Sequence, residues 1–168
     1  MGDAQVGEGV DDDETLRDGV AKTYGRGRDA LAQSLRCGDP ELHHEWRKRA
    51  KYTWYHVRLL DDAAPSLLGP LEERFHDLSD ALGDAHDLHV LATGLDGDPS
   101  GHGGRELVDG VLVVVHGVYD ELIRRATSLG RRLYVEEPDA FADRLVSYRR
   151  VWSDAGDERD VGELAAVT

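Results

Sequence analysis

Four short segments rich in glycine, proline and aspartate divide the chain into stretches of helical periodicity, and this division limits the fold more than any other feature. Such residues end one helix or begin the next, and the segments are CGDP (37–40), DDAAP (61–65), DGDPSGHGG (96–104) and EEP (136–138). Apolar residues between them recur at helical spacing, which predicts helices at about 13–36, 40–61, 66–95, 104–136 and 138–153. The sequence has no two-residue hairpin signal. It therefore predicts an all-α fold, an antiparallel helical bundle of four long helices plus a shorter fifth.

The predicted bundle forms one domain over residues 13–153. Segments 1–12 and 154–168 are acidic, contain glycine and lack a sustained period, so both are predicted to be flexible tails. The core is expected where apolar residues share a helix face, and its predicted members are Trp46, Val57, Leu71, Phe75, Leu78, Leu82, Ile123 and Leu133.

The charge and cysteine content exclude several classes of protein. The chain has 34 acidic and 20 basic residues, a net charge of −14, which opposes binding to nucleic acids. No apolar run approaches the length of a membrane span, and the first residues lack the basic start and apolar run of a secretory signal, so we expect a cytoplasmic protein. A single cysteine, Cys37, excludes an internal disulfide framework and a multi-cysteine metal site.

One segment departs from this acidity. Residues 42–60 carry five Lys and Arg against one Glu, together with several aromatic side chains and histidines. Placed at helical intervals, the residues on one side are those expected to pack inwards, namely Trp46, Ala50, Thr53, Val57 and Leu60. The opposite side carries His44, Lys48, Lys51, Tyr55 and Arg58, with Arg47 on its shoulder. Cations stacked in this way repel one another, so the pattern favours a bound multivalent anion, with a solvated helix face as the alternative.

Polar side chains also interrupt the apolar stripes of the other predicted helices. They are Tyr24 and Arg28 on the first helix, His86 and His89 on the third, and His116 and Tyr134 on the fourth, with Arg131 at the margin. A single inward histidine is usually a hydrogen-bonded core residue. Several of them together suggest a polar groove between helices.

Two other functions stay open at this point. A metal-dependent phosphohydrolase would use clustered imidazoles and carboxylates, drawn from His43, His44, His86, Asp87, His89 and His116. The sequence has no His-Glu-x-x-His motif and no P-loop, so we predict no catalytic residue, metal site or cofactor. In the other alternative the chain is a structural scaffold, in which Arg28 and the histidines pair with Asp77, Asp80, Asp84 or Asp87.

Two linked motifs resemble those of the CHAD family, the conserved-histidine α-helical domains. The first, His-x-x-Arg-Lys-x-x-Lys, reads HEWRKRAK at 44–51, and the second, Leu-Gly-x-x-His-Asp-Leu-x-Val, reads LGDAHDLHV at 82–90. TYGRGRDAL at 23–31 and RRLYVEEPDAFADRL at 131–145 resemble the family's flanking segments. The resemblance therefore covers roughly residues 15–153.

The resemblance implies a non-catalytic protein that binds inorganic polyphosphate. By the resemblance, the cations of the first motif correspond to His44, Arg47, Lys48 and Lys51. Arg58 continues their line, and further candidates are Tyr24, Arg28, Arg131 and Tyr134. His86, His89 and His116 remain the candidates for the polar groove. Family domains are built as two similar four-helix halves about a pseudo-twofold axis. This chain has room for one half, and its motifs resemble the C-terminal one. A homodimer or a partner carrying a second half is therefore implied.

Overall fold

The chain is organised as five long helices. Its structure, a computed structural model, describes the backbone of residues 5–165 and the side chains of residues 12–155. Within residues 5–165 there is no strand, and the helices are α1 (Gln5–Cys37), α2 (Pro40–Leu59), α3 (Pro65–Gly97), α4 (Arg105–Leu133) and α5 (Pro138–Ala165). The predicted all-α helical bundle is confirmed.

The predicted breaks fall where the sequence places them. Gly38 takes a left-handed conformation (φ 62°) after α1, and its N–H donates to the Ser34 carbonyl at 2.9 Å. Asp39 then caps α2, because its carboxylate accepts a hydrogen bond from the backbone N–H of Glu41 at 2.9 Å, and Pro40 fills the first helical position.

The outer helices are longer than predicted. α1 begins at Gln5 and α5 ends at Ala165, so both enter the segments predicted as tails, and α5 has 28 residues. These two segments contain glycine but no proline. A single glycine weakens a helix by about 1 kcal/mol without ending it. Residues 1–4 and 166–168 lie outside the described residues, and flexibility of the two segments stays a prediction.

From α1 to α4, each helix packs against the next one along the chain, and α5 packs against α1. α2 lies between α1 and α3, whereas α4 packs mainly against α3. Five of the predicted core residues are fully buried, namely Trp46, Val57, Phe75, Leu78 and Leu82. The other three, Leu71, Ile123 and Leu133, are partly buried and pack against the core. The predicted core is therefore confirmed.

An aromatic cluster joins α1, α3, α5 and the turn between α4 and α5. The ring of Tyr24 stacks on Phe141 with centroids 4.0 Å apart and lies 5.1 Å from the ring of Tyr134. Phe75 contacts both Tyr134 and Phe141 edge to face. Such pairs add about 0.5–1.5 kcal/mol each beyond the burial of their area, so the cluster fixes the corner from which α5 runs back along α1.

Candidate functional site

The exposed side of α2 carries the basic residues that the sequence places together. We call His44, Lys48, Lys51 and Arg58 the α2 basic face. They follow one another at intervals of four, three and seven residues, which keeps them on one side of a helix. The opposite side is anchored in the core by Trp46, Ala50, Thr53 and Val57, each at most 1% exposed. The α2 basic face is therefore presented to solvent by the packing of the same helix.

The cations of this face differ in how far they are neutralised. Lys48 forms an ion pair with Glu45 one turn earlier on α2. Lys51 lies over the ring of Tyr55 (5.7 Å to the centroid), and Arg58 lies over the ring of Trp54 (5.6 Å). No described carboxylate lies within 4.0 Å of the charged nitrogens of Lys51 or Arg58, so both charges remain available to an anion.

Arg47 links this face to α3. Its Nε is buried and has no hydrogen-bond partner among the described residues. A Cβ at Gly83 would lie 3.1 Å from that Nε and 3.5 Å from Nη2, so the guanidinium rests directly on the backbone of α3. Glycine at position 83 permits this close approach, and the two sequence motifs meet at this contact.

His44 makes a second link between the motifs. Its ring stacks on that of His86, with centroids 4.2 Å apart and planes 29° from parallel. Burial lowers the pKa of His44, and the neighbouring His86, Lys48 and Arg47 lower it further. His44 is therefore neutral near pH 7 in the free protein and gains charge only in more acidic solution.

The outer side of α3 next to this contact is acidic. Asp80, Asp84 and Asp87 are exposed, and the last two directly follow Gly83 and His86 in sequence. The carboxylate oxygen of Asp80 lies 3.1 Å from Nδ1 of His76. The charge of the α2 basic face is thus bordered by carboxylates, which reduce its attraction for anions.

Several predicted ligand residues have partners within the protein. Tyr24 is fully buried, and its hydroxyl donates to the Leu133 carbonyl at 2.8 Å and accepts the N–H of Glu136 at 3.2 Å. Burial raises its pKa to about 12. Tyr134 is also buried, and burial raises its pKa as well. Both tyrosines belong to the core, so neither lies on the α2 basic face.

The two arginines predicted as further contacts are placed differently. Arg28 forms a bidentate pair with Glu137 at the start of α5, at 2.6 and 2.8 Å. This pairing differs from the scaffold alternative, in which Arg28 meets carboxylates of α3. Arg131 is exposed on α4, and α4 meets α2 at the buried His43 and Trp46 rather than at the α2 basic face.

The predicted polar groove is only partly assembled. His86 meets His44, whereas His89 is half-buried on α3 and His116 is exposed on α4. His43 is buried, its Nδ1 lies 2.6 Å from the Tyr119 hydroxyl, and burial lowers its pKa. Among the described side chains, no group of three or more His, Cys, Asp or Glu is placed to hold a metal ion. The metal-dependent alternative therefore has no ligand set in this part of the chain.

Two residues important to this site were not identified from the sequence. Gly83 supports Arg47; the sequence shows it as the glycine of the second motif but does not reveal its contact with α2. Trp54 supports Arg58 and donates a short hydrogen bond from its indole to Glu72. Its partner on α3 is 18 residues away in sequence, which periodicity within one helix does not reveal.

Comparisons with known proteins identify the family. A family model described as CHAD domain matches residues 4–96, more than half of the chain, and includes both motifs. The match spans α1, α2 and nearly all of α3, and it leaves out the flanking segment at 131–145. No curated protein and no solved structure matches the chain. No helix in the described part of the chain is long and apolar enough to cross a membrane. The match over both motifs, which meet at Arg47 and Gly83, shows that the chain belongs to the CHAD family.

Proposed function

We infer that this chain binds inorganic polyphosphate, or a similar phosphate polyanion, along the α2 basic face without catalysing a reaction on it. The observation that carries this proposal is that Lys51 and Arg58 lie in one line with His44 and Lys48 on the same helix face and have no carboxylate partner among the described residues. Membership of the CHAD family supports the same ligand, since CHAD domains are generally associated with polyphosphate.

The shape of the face suits a linear polyanion. His44 and Arg58 are 14 residues apart, so the face extends for about 21 Å along α2 at about 1.5 Å per residue. Polyphosphate repeats its negative charge along a flexible chain, and repeated cation contacts on a line match it better than one deep pocket would. The face is open to water, which makes each contact weak and the affinity dependent on several of them.

The links to α3 give the face a fixed position. Arg47 rests on Gly83, and His44 stacks on His86. Both side chains are therefore held before a ligand arrives, which lowers the entropy lost on binding. We assign Arg47 and His44 to the edge of the proposed site that faces α3, and Lys51 and Arg58 to its exposed line.

Replacing Lys51 and Arg58 together with Ala tests the proposal. Exposed ion pairs contribute about 0.2–1 kcal/mol each, so loss of two should cost about 0.4–2 kcal/mol, which is about 2–30-fold in affinity. The readout is an electrophoretic shift titration with long-chain sodium polyphosphate. Repeating it over a salt series should show the dependence of log affinity on log salt reduced by about 1.5, by analogy with counterion release from nucleic acids.

The matched control is the double replacement of Lys22 and Arg36 with Ala. These exposed residues lie on α1 and have no ion pair among the described residues. Each double variant removes one Lys and one Arg, so the change in net charge is the same. The control should bind like the parent. Equal loss in both variants would mean that net charge alone decides binding, and unchanged binding in the α2 variant would place the ligand elsewhere. Release of phosphate that a chelator abolishes would refute the non-catalytic part.

A further inference from the structure

An apolar stripe runs along the exposed side of α4. Leu107, Val111, Val114 and Val118 are 59%, 40%, 65% and 47% exposed. Their spacing of four, three and four residues keeps them within one narrow face of the helix. We call these four residues the α4 apolar face. Single exposed apolar side chains are common in proteins, whereas a contiguous exposed apolar patch marks an interaction surface.

No other helix covers this face within the described part of the chain. α4 packs against α3 about a quarter turn further round, where Val108, Val115 and Ala126 are buried. Gly110 and Gly117 lie beside the α4 apolar face, and an added Cβ at either would meet nothing within 4 Å. Glycine inside a helix costs about 0.5–1 kcal/mol relative to alanine. Among the described residues no contact requires these two glycines, and close approach by another helix would explain them.

Charge favours a second copy of the chain as the occupant. With a net charge of −14, two copies repel each other over most of their surfaces. Residues 110–119 contain no Asp, Glu, Lys or Arg. Two copies can therefore approach along this part of α4 without bringing like charges into the contact.

The spacing of the face is also symmetric. Read in either direction, the intervals are four, three and four, so a twofold axis between Leu112 and Val113 places Leu107 opposite Val118 and Val111 opposite Val114. Twofold dimers use the same surface on both subunits. We propose that the α4 apolar face binds the α4 apolar face of a second copy, with the two α4 helices antiparallel.

This dimer is independent of the proposed polyphosphate site. α2 meets α4 through its buried side, where His43 contacts Tyr119 and Trp46 packs on Gly130. The α2 basic face is on the other side of α2 and stays outside the proposed contact. A variant that loses dimerisation should therefore keep its affinity for polyphosphate per subunit. The two proposals can fail separately.

The first test measures mass. Across a concentration series by light scattering, the parent should rise from 18.6 kDa towards twice that value, whereas Val114→Glu should stay at the monomer mass. Val151→Glu is the control, because Val151 is 69% exposed on α5, away from α4. It should dimerise like the parent, and circular dichroism should show all three folded. A parent that is monomeric at every concentration, or equal behaviour of the two variants, would overturn the proposal.

The second test measures register by oxidation of single cysteines. Both variants are made in a Cys37→Ser background. A dimer of Leu107→Cys chains only, or of Val118→Cys chains only, should not form a disulfide, because the same position in the two subunits lies about 16 Å apart along antiparallel helices. A disulfide needs Cα atoms within about 7 Å. A mixture of the two chains should form a disulfide-linked dimer. Cross-linking of each chain with itself, and not of the mixture, would show a parallel contact and overturn the proposed pairing.

Discussion

Replacing Gly130 with Ala should destabilise the fold through its contact with Trp46. A Cβ at position 130 would lie 2.4 Å from Cζ2 of Trp46 and 3.4 Å from Leu31. Trp46 is fully buried and belongs to α2, so its ring has little room to move away. Overpacking of this kind costs about 1–3 kcal/mol and sometimes more. The contact with Trp46 is much closer than a normal van der Waals contact, which places the cost at the upper end of that range, about 3 kcal/mol. The better helix propensity of alanine returns about 1 kcal/mol, which leaves a net loss of about 2 kcal/mol.

Thermal unfolding followed by circular dichroism measures this loss. For a chain of this size 1 kcal/mol corresponds to about 2–4 °C, so Gly130→Ala should lower Tm by about 4–8 °C. Gly19→Ala is the matched control, since a Cβ there would meet nothing within 4 Å. It should raise Tm by about 2–4 °C through helix propensity alone. A Gly130 variant as stable as the control would refute the close packing of α4 on Trp46.

Two further predictions concern pH and the acidic border of the site. Burial lowers the pKa of His43, His44 and His56 below the usual value of about 6.5, so the unfolded chain binds more protons in acid. The free energy of unfolding in urea should therefore fall as pH drops from about 7 to about 5.5, and His44→Gln should reduce the slope; a flat profile would contradict the burial of these rings. Replacing Asp84 and Asp87 with Asn should strengthen polyphosphate binding by removing repulsion beside the α2 basic face, and unchanged affinity in the shift titration would mean that the ligand does not approach α3.

The sequence predicts most of the fold, because the features that define it are local. Gly38, Asp39 and Pro40 act within a few residues, and the periodicity of α2 alone separates Trp46 from Lys51. The ends of α1 and α5 were less predictable. A helix propagates through single glycines when nothing nearby stops it, and composition alone does not indicate whether it does.

The candidate site is less predictable, since its side chains are placed by residues distant in sequence. Tyr24 is a candidate ligand residue because TYGRGRDAL resembles a flanking segment of the family. Sequence does not reveal whether the partner of its hydroxyl is a ligand or, as found, the carbonyl of Leu133, 109 residues away. The support of Arg47 by Gly83 depends in the same way on how α3 packs against α2.

The pairing of α1 with α5 has a consequence for synthesis of the chain on the ribosome. Arg17 of α1 pairs with Asp143 of α5, 126 residues later, and Asp13 pairs with Arg149. At about 5–20 residues per second, translation needs about 6–25 s to proceed from Arg17 to its partner. Throughout that interval α1 exists without the helix that covers one of its sides, which makes it a natural binding site for a chaperone on the nascent chain.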